Sequence, residues 1–127
     1  MIYQVAVRRD FIARHRLIGG DWGPENTLHS HPYAVEVRLE GDRLDEHGYL
    51  VDITKIESCL DGILARIADA ILNDLSEFAG LNPSVERLAE VFLRAVLACV
   101  ANPPVRAVAI RVFENAGAWA SCRRELP

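Results

Sequence analysis

Two stretches of alternating apolar and polar residues, joined by a loop that glycine and proline keep irregular, constrain this chain more than any other feature. From residue 2 to 17 the odd positions carry Tyr3, Val5, Val7, Phe11, Ala13, His15 and Leu17, and the even ones include Gln4, Arg8, Asp10, Arg14 and Arg16. Successive side chains on a strand point to opposite faces, so this pattern reads as a half-buried strand. Arg9 interrupts the apolar row and is expected to mark a bulge. A second strand is expected over 28–40, with His29, His31, Tyr33, Val35, Val37 and Leu39 on one face and Ser30, Glu36, Arg38 and Glu40 on the other. Pro32 has no N–H for a ladder, which places the start of that strand at an edge. The loop between them, 18–27, contains Gly19, Gly20, Gly23 and Pro24.

Asp45-Glu46-His47-Gly48 reads as a turn, and Tyr49-Leu50-Val51 as a short extended piece in a hairpin-like connection. The periodicity then changes to helical. Ile56, Leu60, Ile63, Leu64, Ile67 and Ile71 line one face of a helix over about 54–72. Asp52 or Thr54 can cap it, and Gly62 weakens it without breaking it. Asn82 is expected to cap a second helix with Pro83 at its first position and Val85, Leu88, Phe92, Val96 and Cys99 as its buried stripe. Asn102-Pro103-Pro104 is expected to end it. Val108, Ile110, Val112 and Glu114 share a face of a strand over 105–114, followed by a turn at Asn115-Ala116-Gly117 and a last strand over 118–124. The order β-β-(β)-α-α-β-β is that of an α+β fold, an antiparallel sheet with a helix pair on one face, and residues 1–127 are expected to form a single domain.

Fourteen Lys/Arg against eighteen Asp/Glu give a formal charge of −4, which offers no basis for neutralising phosphates, so a nucleic-acid partner is not expected. Cys59, Cys99 and Cys122 are odd in number and form no CxxC pair. They read as free, structural thiols with no adjoining base, in a reducing and hence cytoplasmic compartment. The N-terminus becomes charged too early for a signal peptide, and no apolar run approaches about 18 residues, so neither export nor membrane insertion is expected.

The candidate chemistry lies where the two strands meet the loop. His29 and His31 share a face about 7 Å apart along the strand, and an adjacent antiparallel strand brings His15 to complete a facial set. Three imidazoles with an open fourth position suit a catalytic zinc ion, although iron or nickel also accept imidazole. Glu25, four residues before His29, can reach a metal-bound substrate as general base. Glu114 ends an apolar face, a costly place for a carboxylate unless it meets donors such as the ring N–H and amino groups of a heterocycle. His47 reads as solvated. Arg8, Arg14 and Arg16 form either a basic strip for a phosphorylated ligand or, as favoured here, a solvated face. No Walker loop, GxGxxG motif or serine elbow is present.

Phe11-Ile12-Ala13-Arg14-His15-Arg16-Leu17, His29-Ser30-His31-Pro32-Tyr33, Gly48-Tyr49-Leu50-Val51-Asp52, Leu72-Asn73-Asp74, Asn82-Pro83-Ser84-Val85-Glu86 and Val112-Phe113-Glu114 occur in that order along nearly the whole chain. Their order and spacing resemble the family of 6-pyruvoyl-tetrahydropterin and 6-carboxytetrahydropterin synthases. The resemblance implies the tunnelling fold, a four-stranded antiparallel sheet with two helices assembled into an oligomeric barrel of trimers or hexamers, with active sites between subunits. It also implies zinc on His15, His29 and His31, and a pterin ring anchored by Glu114.

The chain departs from the family pattern in three places. Glu25 stands where the family has its catalytic cysteine, His29-Ser30-His31 replaces HGH, and Ala68-Asp69 aligns with the Asp-His pair that activates the cysteine. A variant branch with Glu before HxH is similar and is associated with cleaving the side chain of 7,8-dihydroneopterin triphosphate to 6-hydroxymethyl-7,8-dihydropterin, a folate precursor. The leading expectation is therefore a zinc-dependent pterin lyase with Glu25 as base. A 6-carboxytetrahydropterin synthase of deazaguanine biosynthesis, a non-catalytic metal- and pterin-binding oligomer and an unrelated metallohydrolase are the alternatives.

Overall fold

The computed structural model describes residues 1–100 and 104–127. In chain order it contains β1 (Tyr3–His15), a 3-10 turn (Gly23–Asn26), β2 (His29–Gly41), α1 (Ile53–Ile67), 3-10 turns at Leu72–Asp74 and Ser76–Phe78, α2 (Val85–Leu97), β3 (Ala107–Asn115) and β4 (Ala118–Glu125). The strands form one antiparallel sheet in the order β1-β2-β3-β4, with two helices, as expected for the tunnelling fold.

The alternation read from the sequence decides which face is covered. Val7, Phe11 and Ala13 of β1, Val35, Val37 and Leu39 of β2, and Val108, Ile110 and Val112 of β3 are buried in one core. Ile56, Leu60, Leu64 and Ile67 of α1 and Leu88, Phe92 and Val96 of α2 join it. Each of these side chains larger than alanine contributes roughly 1.5–3 kcal/mol by leaving water, so this face dominates the stability.

The β1–β2 ladder runs unbroken from Tyr3↔Gly41 to His15↔His29. The bulge expected at Arg9 is therefore corrected. Arg9 stays in register on the helix side because its guanidinium meets Asp61 and Glu57 of α1, each at 2.9 Å. Pairing of β2 with β3 begins only at Ala34↔Phe113, so residues 29–33 lie beside β1 alone. Pro32 stands at that open margin, as expected.

Several element ends differ from the sequence reading. Asp52 caps α1 by accepting from the Thr54 N–H at 3.0 Å, but the helix stops at Ile67. Asp69 then adopts a left-handed φ of 62°, and its N–H donates to the Ile12 carbonyl at 2.6 Å. The Arg14 N–H donates to Ala70 O at 2.8 Å. The free backbone groups at the outer edge of β1 thus compete successfully with further helix.

Ser84 rather than Asn82 caps α2, accepting from the Arg87 N–H. The Asn82 side chain instead accepts from the Ile18 N–H at 3.0 Å and tethers the loop after β1. Residues 49–51 form no strand, because the Asp45 carboxylate gathers the His47 and Tyr49 N–H groups into a closed turn. α2 stops at Leu97, before the Asn102-Pro103-Pro104 break expected to end it, and of that break Asn102 and Pro103 lie outside the described residues.

Cys59 of α1 and Cys99, two residues past the end of α2, form a disulfide, and Cys122 is the free cysteine. The expectation of three free thiols is corrected. Forty residues separate the pair in sequence, and only helix packing makes them neighbours. The cysteine argument for a reducing compartment falls with it. Among the described residues no helix is long and apolar enough to cross a membrane.

Candidate functional site

His15 ends β1 and His29 begins β2, and the two are direct cross-strand partners. His31 follows on the same face, opposite Ala13. The ring centroids lie 4.6 Å apart for His15 and His29, 5.9 Å for His15 and His31, and 6.5 Å for His29 and His31. The facial trio expected from alternation is thus assembled at one end of the sheet. The open margin of β2 leaves it beside the loop.

Hydrogen bonds define the state of these rings. His29 Nδ1 lies 2.8 Å from the Thr27 carbonyl, His31 Nδ1 2.8 Å from the Pro32 carbonyl and His15 Nδ1 3.3 Å from the Pro83 carbonyl. A carbonyl only accepts, so each Nδ1 carries a proton and donates it. In a neutral ring the lone pair then resides on Nε2, the form that ligates metal ions. His29 Nε2 is buried and has no hydrogen-bond partner. His15 is 4% exposed, and burial pushes its pKa down, which keeps the ring neutral. As they stand, no three His, Cys, Asp or Glu side chains among the described residues are grouped closely enough to hold a metal ion. The donor chemistry fits a divalent transition metal, while the rings are spread more widely than a closed ligand set.

Glu25 sits in the exposed 3-10 turn of the loop, where its negative charge is felt by His15 and by Tyr33. Asn26 organises this loop, a role the sequence reading missed. Its side-chain amide donates to the Leu17 and Gly20 carbonyls and its oxygen accepts from the Trp22 N–H. The Leu17 N–H closes the loop onto the Glu25 carbonyl at 2.8 Å. An Asn beside a Gly-Pro turn is the signal that could have found it.

Glu114 lies at the irregularity between Phe113 and Asn115, where β3 shifts register against β4 and has passed its last partner on β2. Its carboxylate is 39% exposed, less buried than its place in the row implied, and stands 3.6 Å from His31 Nε2. An open cavity of about 900 Å³ adjoins it, lined among others by Ile12, Pro32, Tyr33, Phe113 and Asp69. Tyr33, also missed, is buried with its hydroxyl 3.1 Å from His15 Nδ1 and its ring stacked 4.6 Å from that of His31.

Ala68 and Asp69 lie along the outer edge of β1, across that strand from the histidine ends of the ladder, although both line the cavity. His47 is exposed. Of the arginines Arg8, Arg14 and Arg16, Arg8 lies 4.7 Å over the Phe113 ring and 3.7 Å from Asp10, and Arg14 reaches the Asp69 carbonyl.

Residues 4–125 match the sequence profile of the 6-pyruvoyl tetrahydropterin synthase family. Comparison with curated proteins gives no match. Among solved structures, the 6-pyruvoyl tetrahydropterin synthase of Caenorhabditis elegans superposes with a TM-score of 0.82 at 21% identity, covering 98% of this chain and 97% of that one. A Plasmodium vivax 6-pyruvoyltetrahydropterin synthase, described as a catalytic-residue mutant with glutamate replaced by alanine, gives 0.80 at 16% identity and 99% coverage of both chains. A second mutant of that protein, with the same glutamate replaced by cysteine, gives 0.79 at 16% identity and the same coverage. At these identities the structures establish a shared fold, and the profile match over nearly the whole chain establishes kinship: the chain belongs to the 6-pyruvoyl tetrahydropterin synthase family.

Proposed function

We propose that this protein is a zinc-dependent pterin lyase that cleaves the side chain of 7,8-dihydroneopterin triphosphate to 6-hydroxymethyl-7,8-dihydropterin. The observation that carries the proposal is the shared state of His15, His29 and His31. Each has Nδ1 committed to a backbone carbonyl, and one has a buried, unpartnered Nε2. Zinc would be held by the three Nε2 atoms, with the rings drawing together, and when bound would supply Lewis acidity toward side-chain oxygens of the substrate.

The chain's own carboxylates do the rest. Glu25, on its loop, takes the proton of the side-chain hydroxyl. The C–O bond becomes the carbonyl of a departing aldehyde that carries the triphosphate away, as the adjacent carbon–carbon bond breaks and the released electron pair passes into the dihydropterin ring system. A proton returns to the carbon left on the ring, so the step needs no thiol and no oxidant. Glu114 accepts hydrogen bonds from the ring N–H and amino groups beside the cavity. The relative from Plasmodium vivax, whose catalytic residue is described as a glutamate, supports a carboxylate in this role. Cys122 offers no alternative, since it lies on β4 with its thiol pushed up by burial.

The protein is expected to act as a homo-oligomer. β1 and β4 are the outer strands of the sheet, and copies joined edge to edge would close a barrel. Incubating metal-loaded protein with the triphosphate substrate, followed by chromatography, tests the reaction. The proposal expects 6-hydroxymethyl-7,8-dihydropterin, reduced by roughly 10²–10⁴-fold in Glu25→Ala. Unchanged substrate, or full activity in that variant, contradicts it.

A further inference from the structure

We infer that Tyr33 is a positioning residue for the imidazole trio, its hydroxyl fixing His15 and its ring fixing His31. This rests on the reading that the trio holds a metal. Tyr33 is 4% exposed and touches two of the three rings, His15 through its hydroxyl and His31 through its face. Its hydroxyl oxygen lies 3.1 Å from His15 Nδ1, closer than the Pro83 carbonyl at 3.3 Å. Because the carbonyl requires a proton on Nδ1, the phenol oxygen accepts from the same N–H, and the two acceptors together hold the tautomer with its lone pair on Nε2.

The ring does a second job. It stacks on His31 at 4.6 Å with an interplanar angle of 29°, and on its other neighbour Phe11 at 5.3 Å and 24°. His31 thereby sits at the end of a stack of three rings, whose far member Phe11 packs at a tilt of 58°, 5.6 Å from Phe92 in the core. His31 otherwise has a hydrogen bond to the carbonyl of its own neighbour Pro32 and edge contacts with the His15 and His29 rings. Ligands whose partners are preorganised in this way bind metal more tightly than free imidazoles would, and outer contacts of this kind are worth about 10–100-fold in affinity.

Two variants separate the two jobs. Tyr33→Phe keeps the stack and the core packing and removes the acceptor, whereas Tyr33→Leu removes both. Metal affinity is measured with cobalt(II) by its visible absorption and by chelator competition. The metal-free histidine tautomers are followed by nitrogen-15 spectra of histidine-labelled protein near pH 8, and folding by thermal melting. The inference expects cobalt to bind Tyr33→Phe about tenfold more weakly than wild type. It also expects a second, Nε2-protonated His15 signal in the metal-free variant, with the melting transition retained, and in Tyr33→Leu a further loss with an altered cobalt spectrum. Wild-type affinity together with an unchanged His15 spectrum in Tyr33→Phe overturns it. If wild type takes up no cobalt, the metal reading itself fails, and the metal-free spectrum still decides Tyr33: a new His15 tautomer supports the positioning role and an unchanged one refutes it.

Discussion

Replacing His29 by leucine is expected to stabilise the metal-free protein and to abolish its response to metal. The Nε2 atom of His29 is buried without a hydrogen-bond partner, and leaving such a group unsatisfied costs about 1–3 kcal/mol. Leucine removes that cost but forfeits the 2.8 Å bond from Nδ1 to the Thr27 carbonyl, worth about 1 kcal/mol, and Thr27 is exposed enough for water to replace it. The net gain is about 1 kcal/mol, or a rise of roughly 4 °C in the melting temperature of a chain this long. Wild type gains about 2.7 kcal/mol when free zinc is a hundred times its dissociation constant, and His29→Leu gains none. The order of stability should therefore cross: variant above wild type in chelator, below it in zinc. Thermal melts at one fixed protomer concentration, with chelator and with buffered zinc, read this directly. A wild type that is the more stable in chelator and does not respond to zinc would refute the reasoning, because the buried nitrogen would then be neither a liability nor a ligand.

Three further outcomes are expected. Reducing the Cys59–Cys99 bond opens a loop of 40 residues and should cost about 4 kcal/mol of stability by chain entropy, while denatured, unreduced protein should show one reactive thiol, Cys122. Because burial holds the His15 pKa below its unfolded value of 6.5, the unfolded chain binds more protons just below that pH. Metal-free protein should accordingly lose stability as pH falls from 6.5 toward 5, and His15→Gln should lose that part of the decline. Glu77, held down to about 2 by Arg66, keeps its own contribution until more acidic pH. Glu114→Gln should raise the pterin KM about tenfold or more, with a smaller change in kcat, since charge-assisted bonds to the ring are lost before the reacting atoms are touched.

Alternation made the sheet and the trio legible. Once two strands with period-2 rows flank one loop, His15 and His29 are nearly forced to face each other, and the register confirms it. What the rows could not reveal was chemistry supplied across the fold. Arg9 looked like an interruption because its partners Glu57 and Asp61 lie on a helix some fifty residues later. Helical periodicity carried through Ile71, yet the chain left the helix at Ala68 to satisfy the open edge of β1. Asn82 has the chemistry of a cap and is spent on Ile18 instead. Tyr33 lies in the apolar row and is buried, and its hydroxyl gains a partner only because β1 brings His15 beside it. Local pattern thus predicted which side chains share a face. The competition among distant donors and acceptors set where elements end and what each polar atom holds.

The most direct measurement is anomalous diffraction at the zinc edge from crystals of the metal-loaded protein soaked with a pterin. The account predicts one peak per protomer within bonding distance of Nε2 of His15, His29 and His31, with the ring held against Glu114 and the Glu25 carboxylate facing its side chain. No peak at those nitrogens, or a pterin bound away from Glu114, would contradict it.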